Sequence, residues 1–168
     1  LPDWIQTCSV DATEFIICND LPTLLYVINL GCIPLHVWSA RHQSIDRPDW
    51  MVLDLDPKDA PFTAVVAVAR HLRRMLCDLE LPHYIKTSGQ AGLHVMLPLD
   101  RQIDHCQAKL LAEVLARVAV AELPDIATVA SPLRDRDGRV YVDFLQNGRG
   151  KTIAAPFCAR PIDGAPVS

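Results

Sequence analysis

The segment Trp50-Met51-Val52-Leu53-Asp54-Leu55-Asp56 does most to limit what this chain can become. It opens on apolar residues, ends on two aspartates at positions i and i+2, and is cut off by Pro57, so it reads as one extended strand with an acidic carboxyl end. Side chains two apart on a strand share a face. Asp54 and Asp56 can therefore converge on one cation or bridge a pair.

The rest of the pattern places this strand in an α+β chain. Glu14 to Cys18 reads as a short strand, and Asp20-Leu21-Pro22 opens a helix that closes at Gly31, with Asp20 as cap and Pro22 in the first turn. Ile33 to Trp38 is β-type and carries His36. From Pro61 to Leu79 apolar residues recur at spacings of three and four, which predicts an amphipathic helix. His83 to Thr87 and Leu93 to Leu97 follow as β-type runs joined by a Ser-Gly-Gln-Ala-Gly loop. Asp104 to Glu122 is a second long helix, with Leu110, Leu111, Val114, Leu115 and Val118 as its expected buried face. Asp137-Gly138 has the form of a tight turn, so Ser131 to Arg134 and Arg139 to Leu145 are expected to pair as a hairpin. These elements predict a mainly antiparallel sheet backed by helices, in a single domain.

Composition bounds the function. Half of the 168 residues are hydrophobic, enough for one sizeable core. No apolar run is long enough to span a membrane, and the first residues lack the pattern of a signal peptide, so a cytoplasmic protein with no membrane partner is expected. The six cysteines are scattered singly and read as reduced core thiols. A net charge of −4 argues against binding nucleic acid through overall positive potential but leaves room for a local site.

Three stretches carry chemistry: Asp54-Leu55-Asp56, Lys86 to His94, and Tyr141 to Asn147. Asp143 joins Asp54 and Asp56 as a third strand carboxylate, and hard oxygen donors of this kind suit Mg²⁺ or Mn²⁺. In the loop, Gly89 and Gly92 let backbone N–H groups approach an anion, Ser88 adds a hydroxyl, His94 starts the next strand where it can meet a phosphate, and Lys86 can reach the same anion. Carboxylates for metals beside a phosphate loop point to phosphoryl transfer. His71, among Arg70, Arg73 and Arg74, is expected on the wet face of its helix.

Taken in order, Leu35-His36-Val37-Trp38, Arg47-Pro48-Asp49, Leu53-Asp54-Leu55-Asp56-Pro57, Lys86-Thr87-Ser88-Gly89 with Gly92-Leu93-His94-Val95, Asp143-Phe144-Leu145-Gln146-Asn147, Ala155-Pro156-Phe157 and Gly164-Ala165-Pro166-Val167-Ser168 resemble the polymerase domain of bacterial DNA ligase D, in the archaeo-eukaryotic primase superfamily. The resemblance covers almost the whole chain. It implies a primase-type (RRM-like) catalytic core and a metal-dependent nucleotidyltransferase. Such an enzyme adds ribo- or deoxyribonucleotides to a primer 3′-hydroxyl, filling gaps during DNA end-joining repair. By residue, it implies that Asp54, Asp56 and Asp143 hold two Mn²⁺ or Mg²⁺ ions, and that His36, Lys86, Ser88, Gly89, His94, Gln146 and Arg160 surround the nucleoside triphosphate. The implied partners are a primer-template or gapped duplex, NTP or dNTP, ligase and phosphoesterase domains, and Ku, in the bacterial cytoplasm.

The sequence also departs from the family. It is expected to lack the family's amino-terminal DNA-docking segment, Phe157-Cys158 stands where tyrosine and serine are common, and Ser131-Pro132-Leu133 replaces a segment often bearing lysine. Arg134, Arg136 and Arg139 are the candidates for replacing that DNA contact. Two other readings stay open: a metal-dependent phosphohydrolase or nuclease using the same carboxylates, and a non-catalytic nucleic-acid-binding remnant.

Overall fold

A computed structural model describes residues 1–168. The chain opens with a hairpin, β1 (Thr7–Val10) against β2 (Thr13–Ile16). Helix α1 (Leu21–Asn29) follows, capped by the Asp20 carboxylate, which accepts from the Thr23 N–H at 2.8 Å. Then come β3 (His36–Trp38), β4 (Trp50–Asp56), α2 (Phe62–Asp78), β5 (Tyr84–Thr87), β6 (Leu93–Pro98), α3 (His105–Glu122), β7 (Ala127–Thr128), β8 (Val140–Asp143) and β9 (Thr152–Ala154). Helix α3 begins with a reciprocal capping box between Asp104 and Gln107, which satisfies two backbone N–H groups that the first turn leaves without partners.

Five strands form the central sheet in the order β5-β6-β4-β8-β7. Every pairing is antiparallel except β7 with β8. Strand pleating splits β4 between two environments. Met51, Leu53 and Leu55 point to the back, where they join Val65, Val68, Leu72 and Leu76 of α2, Ala112, Ala116 and Ala119 of α3, and Val140 and Val142 of β8 in one core. Trp50, Val52, Asp54 and Asp56 point to the front.

The second small sheet, β3 paired with β9, lies over the front face: Val37 and Ile153 meet Trp50, Val52 and Met96 around a cavity of about 10 Å³. It covers the amino-terminal half of β4 and leaves the acidic half open.

Several local expectations are corrected. Leu115 is buried as expected and Leu111 packs against the core, but Leu110, Val114 and Val118 are exposed, and the rest of the buried face of α3 is Ala108, Ala112, Ala116 and Ala119. Alanines let the helix backbone sit close to the sheet, where a leucine face would hold it away. Ser131 to Arg134 is not a strand. Leu133–Asp135 is a 3-10 turn, and β8 pairs with β4 and, in parallel, with β7. His71 is buried, with Nε2 3.6 Å from the Glu122 carboxylate of α3, while Arg70, Arg73 and Arg74 take the wet face. Of the cysteines only Cys158 is buried; its Sγ accepts from the Leu35 N–H at 2.9 Å. No helix is long and apolar enough to cross a membrane.

Candidate active site

Antiparallel register lines up one functional side chain per strand. Lys86 of β5 is opposite His94 of β6, His94 is opposite Asp54 of β4, and Asp54 is opposite Asp143 of β8. Directly opposed residues share a face, so this row crosses the open front of the sheet. One pleat further on, Asp56 is opposite Tyr141.

Charge is unbalanced along the row. Burial, then the neighbouring Asp143 and Asp56 carboxylates, push the Asp54 carboxyl up to about 7, against a smaller opposing pull from Lys86 and Arg160. Burial, together with the cations Lys86 and Arg160, pushes His94 down to about 4. The 3.5 Å contact between His94 Nε2 and Asp54 is therefore not an ion pair near neutral pH: a neutral imidazole lies beside a carboxyl that still holds part of its proton. Burial also lowers the Lys86 ammonium, which donates to the Ser168 hydroxyl and to the Thr87 carbonyl.

The other two carboxylates are held by the protein. Asp143 accepts from the Leu145 N–H at 2.7 Å, the Tyr141 hydroxyl at 3.1 Å and Gln146 Nε2 at 3.1 Å. Asp56 pairs with Arg136 at 2.8 Å. That guanidinium is buried, lies 4.1 Å from the centre of the Tyr141 ring, and donates to the Ser131 carbonyl. As the side chains stand, no three carboxylate, imidazole or thiol groups converge on one point, because Arg136 draws Asp56 aside and Asp143 is tied into its own turn. The donor chemistry nonetheless fits a hard divalent cation. Asp54 and Asp143 are adjacent carboxylates whose mutual repulsion raises Asp54, and Asp56 follows on the same face.

In front of the row is an open cleft of about 290 Å³, lined by His36, Asp54, Asp56, Lys58, Ser88, Gln90, Gly92, His94, Gln146 and Arg160 among others. It brings together six of the expected nucleotide and metal residues from β3, β4, the β5–β6 loop, β6 and the carboxyl-terminal segment, with Gln146 as a seventh. Lys86, Gly89 and Asp143 do not line it. Arg160 Nη1 lies 3.1 Å from His36 Nε2, and its Nε is buried without a hydrogen-bond partner, as is Nδ1 of His94.

The two loop glycines have a packing reason as well. A Cβ on Gly92 would sit 2.2 Å from the Leu55 carbonyl oxygen, and one on Gly89, at φ +75°, 2.6 Å from Cγ of Arg160. Ser88 Oγ accepts from the Gln90 and Gly92 N–H groups; this closes the turn and leaves its own proton free to donate.

The three arginines proposed to face DNA differ from one another. Arg134 is exposed, with Asp135 3.6 Å away. Arg139 is half-buried and donates to the Arg136, Asp135 and Pro124 carbonyls. Arg136 turns inward to Asp56, so it is placed as part of the acidic site rather than on the surface.

Sequence reasoning missed that pairing, the Tyr141 contact and the cleft positions of Lys58 and Gln90. It included Asn147 in a chemistry-bearing stretch but gave it no role; its buried amide bonds both the N–H and the carbonyl of Val52. The Arg136–Asp56 and Asn147–Val52 pairings had no local signal, since each joins residues at least 80 positions apart.

Comparison with known proteins fits this architecture. Over 146 residues the chain is 33% identical to the multifunctional non-homologous end joining protein LigD of Pseudomonas aeruginosa, covering 86% of this chain and 17% of that protein. It is 30% identical over 161 residues to the bifunctional LigD of Bacillus subtilis, covering 95% and 26%. It is 37% identical over 172 residues to the multifunctional LigD of Mycobacterium bovis, covering 95% and 23%. The chain thus spans about a quarter or less of these relatives. The polymerase domain of Mycobacterium tuberculosis ligase D, solved in complex with DNA, superposes with a TM-score of 0.85 at 28% identity, over 96% of this chain and 61% of that one. The model of the LigD primase-polymerase domain matches residues 1–168, and the chain belongs to that family.

Proposed function

We propose that this domain is a metal-dependent nucleotidyltransferase that adds ribo- or deoxyribonucleotides to a primer 3′-hydroxyl during DNA end joining, acting on gapped or primer-template DNA. The observation that carries the reading is the cross-strand row Lys86–His94–Asp54–Asp143, whose His94 and Asp54 line one cleft together with His36, Ser88 and Arg160.

Asp54, Asp56 and Asp143 are the residues that would hold Mn²⁺ or Mg²⁺, in a pair. Bound there, divalent ions supply a lowered pKa for the attacking hydroxyl and charge stabilisation for the departing pyrophosphate. Arg160 and the Ser88 hydroxyl neutralise and orient the triphosphate. His94 presents an imidazole that burial keeps neutral, so it acts there as a hydrogen-bond donor rather than a cation. Gln146 and Tyr141 hold Asp143 against the sheet, and Arg136 orients Asp56 through a charge-assisted bond. Water is restricted on one side by the β3–β9 sheet. A hydrolase built on the same carboxylates would have no need of the Ser88–Arg160 side of the cleft.

The test is primer extension on a gapped duplex with Mn²⁺ or Mg²⁺. Asp54→Ala, Asp56→Ala and Asp143→Ala should each lose extension while keeping the wild-type circular dichroism spectrum. Full extension by any of them removes that residue from the mechanism, and DNA cleavage without nucleotide incorporation by the wild type refutes the reading.

A further inference from the structure

Phe157 combines two features that work against a free-standing fold. The residue is 91% exposed, more than any other large apolar residue of the chain. Its backbone is left-handed, at φ +62°, and the other non-glycine residues with positive φ are alanine, aspartate, glutamate, lysine and arginine. The turn explains the conformation. Cys158 N–H donates to the Ala155 carbonyl at 3.2 Å, which makes Pro156 and Phe157 the central pair of a β-turn. Proline is favoured at the first of these positions, and glycine at a second position with φ above zero. An L-residue there costs free energy that glycine would avoid, and a bulky aromatic residue is among the rarest occupants. Strain held at one residue, with its ring left in water, points outside the molecule.

The turn stands at the rim of the cleft. It follows β9, whose Ala154 lines the cleft, and precedes Arg160, which lines it as well. The Phe157 N–H donates to the Ser168 carbonyl at 2.7 Å, and Ser168 packs beside Gly89 of the phosphate loop. The ring is thus held by backbone bonds beside the nucleotide site and is exposed to whatever enters it.

We propose that Phe157 is a stacking platform for an unpaired DNA base at the rim of the cleft, an inference that rests on the polymerase reading above. A rigid, solvent-facing ring is the device by which proteins hold single-stranded bases without reading their sequence. The exposed ring then has a partner in the complex, and the strained turn fixes its direction before the DNA arrives.

The experiment compares wild type, Phe157→Gly and Phe157→Tyr on a blunt duplex and on a duplex with a 5′ overhang carrying 2-aminopurine. Phe157→Gly should bind the overhang substrate about tenfold more weakly and bind the blunt duplex as wild type does. Wild type and Phe157→Tyr should quench the 2-aminopurine, and Phe157→Gly should not. The melting temperature of Phe157→Gly should equal or exceed wild type, since glycine takes this φ without strain. Unchanged overhang affinity and quenching overturn the inference. So does a lower melting temperature, which would mean that the ring packs on its own chain, or a wild-type dimer that Phe157→Gly abolishes. If wild type binds neither duplex and extends no primer, the polymerase reading itself fails, and that shows without any variant.

Discussion

Folding moves a proton between two neighbouring residues of the site, and this should be measurable. Asp54, at 3.8 in a free chain, is pushed up to about 7 in the fold, so its contribution to stability is full below pH 3.8 and is lost as pH rises toward 7. His94, at 6.5 in a free chain, is pushed down to about 4, so its contribution is full above pH 6.5 and is lost as pH falls toward 4. Both side chains are largely inaccessible, at 24% and 4% exposure, so solvent screening discounts these effects little. At about 1.4 kcal/mol per unit, the shifts amount to roughly 4 and 3 kcal/mol. Their windows overlap and their slopes oppose: across about pH 4.5 to 6, the unfolded chain carries the proton on His94 and the folded chain carries it on Asp54, so the pair adds almost no pH dependence. Removing one partner should expose the other. With divalent ions chelated, Asp54→Asn should gain about 2 kcal/mol relative to wild type between about pH 4.5 and 6, and His94→Gln should lose about 2 over the same range. Urea denaturation of the three proteins at matched pH measures these differences, and subtraction of wild type removes every other titrating group. A constant offset between Asp54→Asn and wild type across the range would show that Asp54 does not keep its proton in the fold.

Two further outcomes follow from the same geometry. Because a metal ligand must be deprotonated, the rise in melting temperature on adding Mn²⁺ should be larger at about pH 8 than at about pH 5.5; an equal rise at both would take Asp54 out of the ligand set. Asn147→Leu should cost about 2–4 kcal/mol by urea denaturation, since it strands the buried N–H and carbonyl of Val52, and a cost near zero would mean that water replaces the amide.

What could be read from the sequence was what depends on nearest neighbours along the chain. Asp20 caps its helix as expected, because a cap bonds a backbone group three residues away. The β4 strand spans Trp50–Asp56 as expected, since the apolar run and Pro57 both act locally. The sheet is mainly antiparallel and backed by helices, as expected. Periodicity was only partly right on α3, where Leu111 and Leu115 face the core as expected but two further faces both count as apolar: Leu110, Val114 and Val118 on one, and alanines on the other. Choosing between them needs the distance to the sheet, which no helical pattern contains. The hairpin at Asp137-Gly138 failed for a related reason. A tight turn was identified, but the partners of β8 are β4 and β7, and nothing within the turn names them.

Register is the property on which the chemistry rests. Side chains alternate faces, so a slip of one residue in β4 would send Asp54 and Asp56 into the core against α2 and put Leu53 and Leu55 in the cleft. The acidic end of β4 weakens its own pairing, because Asp54 faces Asp143 directly and like charges in that position repel. Two devices offset this. On the back, Leu53 and Leu55 are fully buried, and each would lose its burial free energy in a slipped strand, about 1.5–3 kcal/mol per side chain. On the front, beyond the last β4–β8 pair at Asp54, the chain leaves β8 through the turn at Leu145–Asn147, where the Asn147 amide takes the place of a strand and bonds Val52. That bond is made two residues before Asp54, on a strand whose acidic end is held by Arg136. Asn147 therefore sets where the carboxylates stand without touching them, and its replacement should damage metal binding by misplacing Asp54 as well as by unfolding the chain.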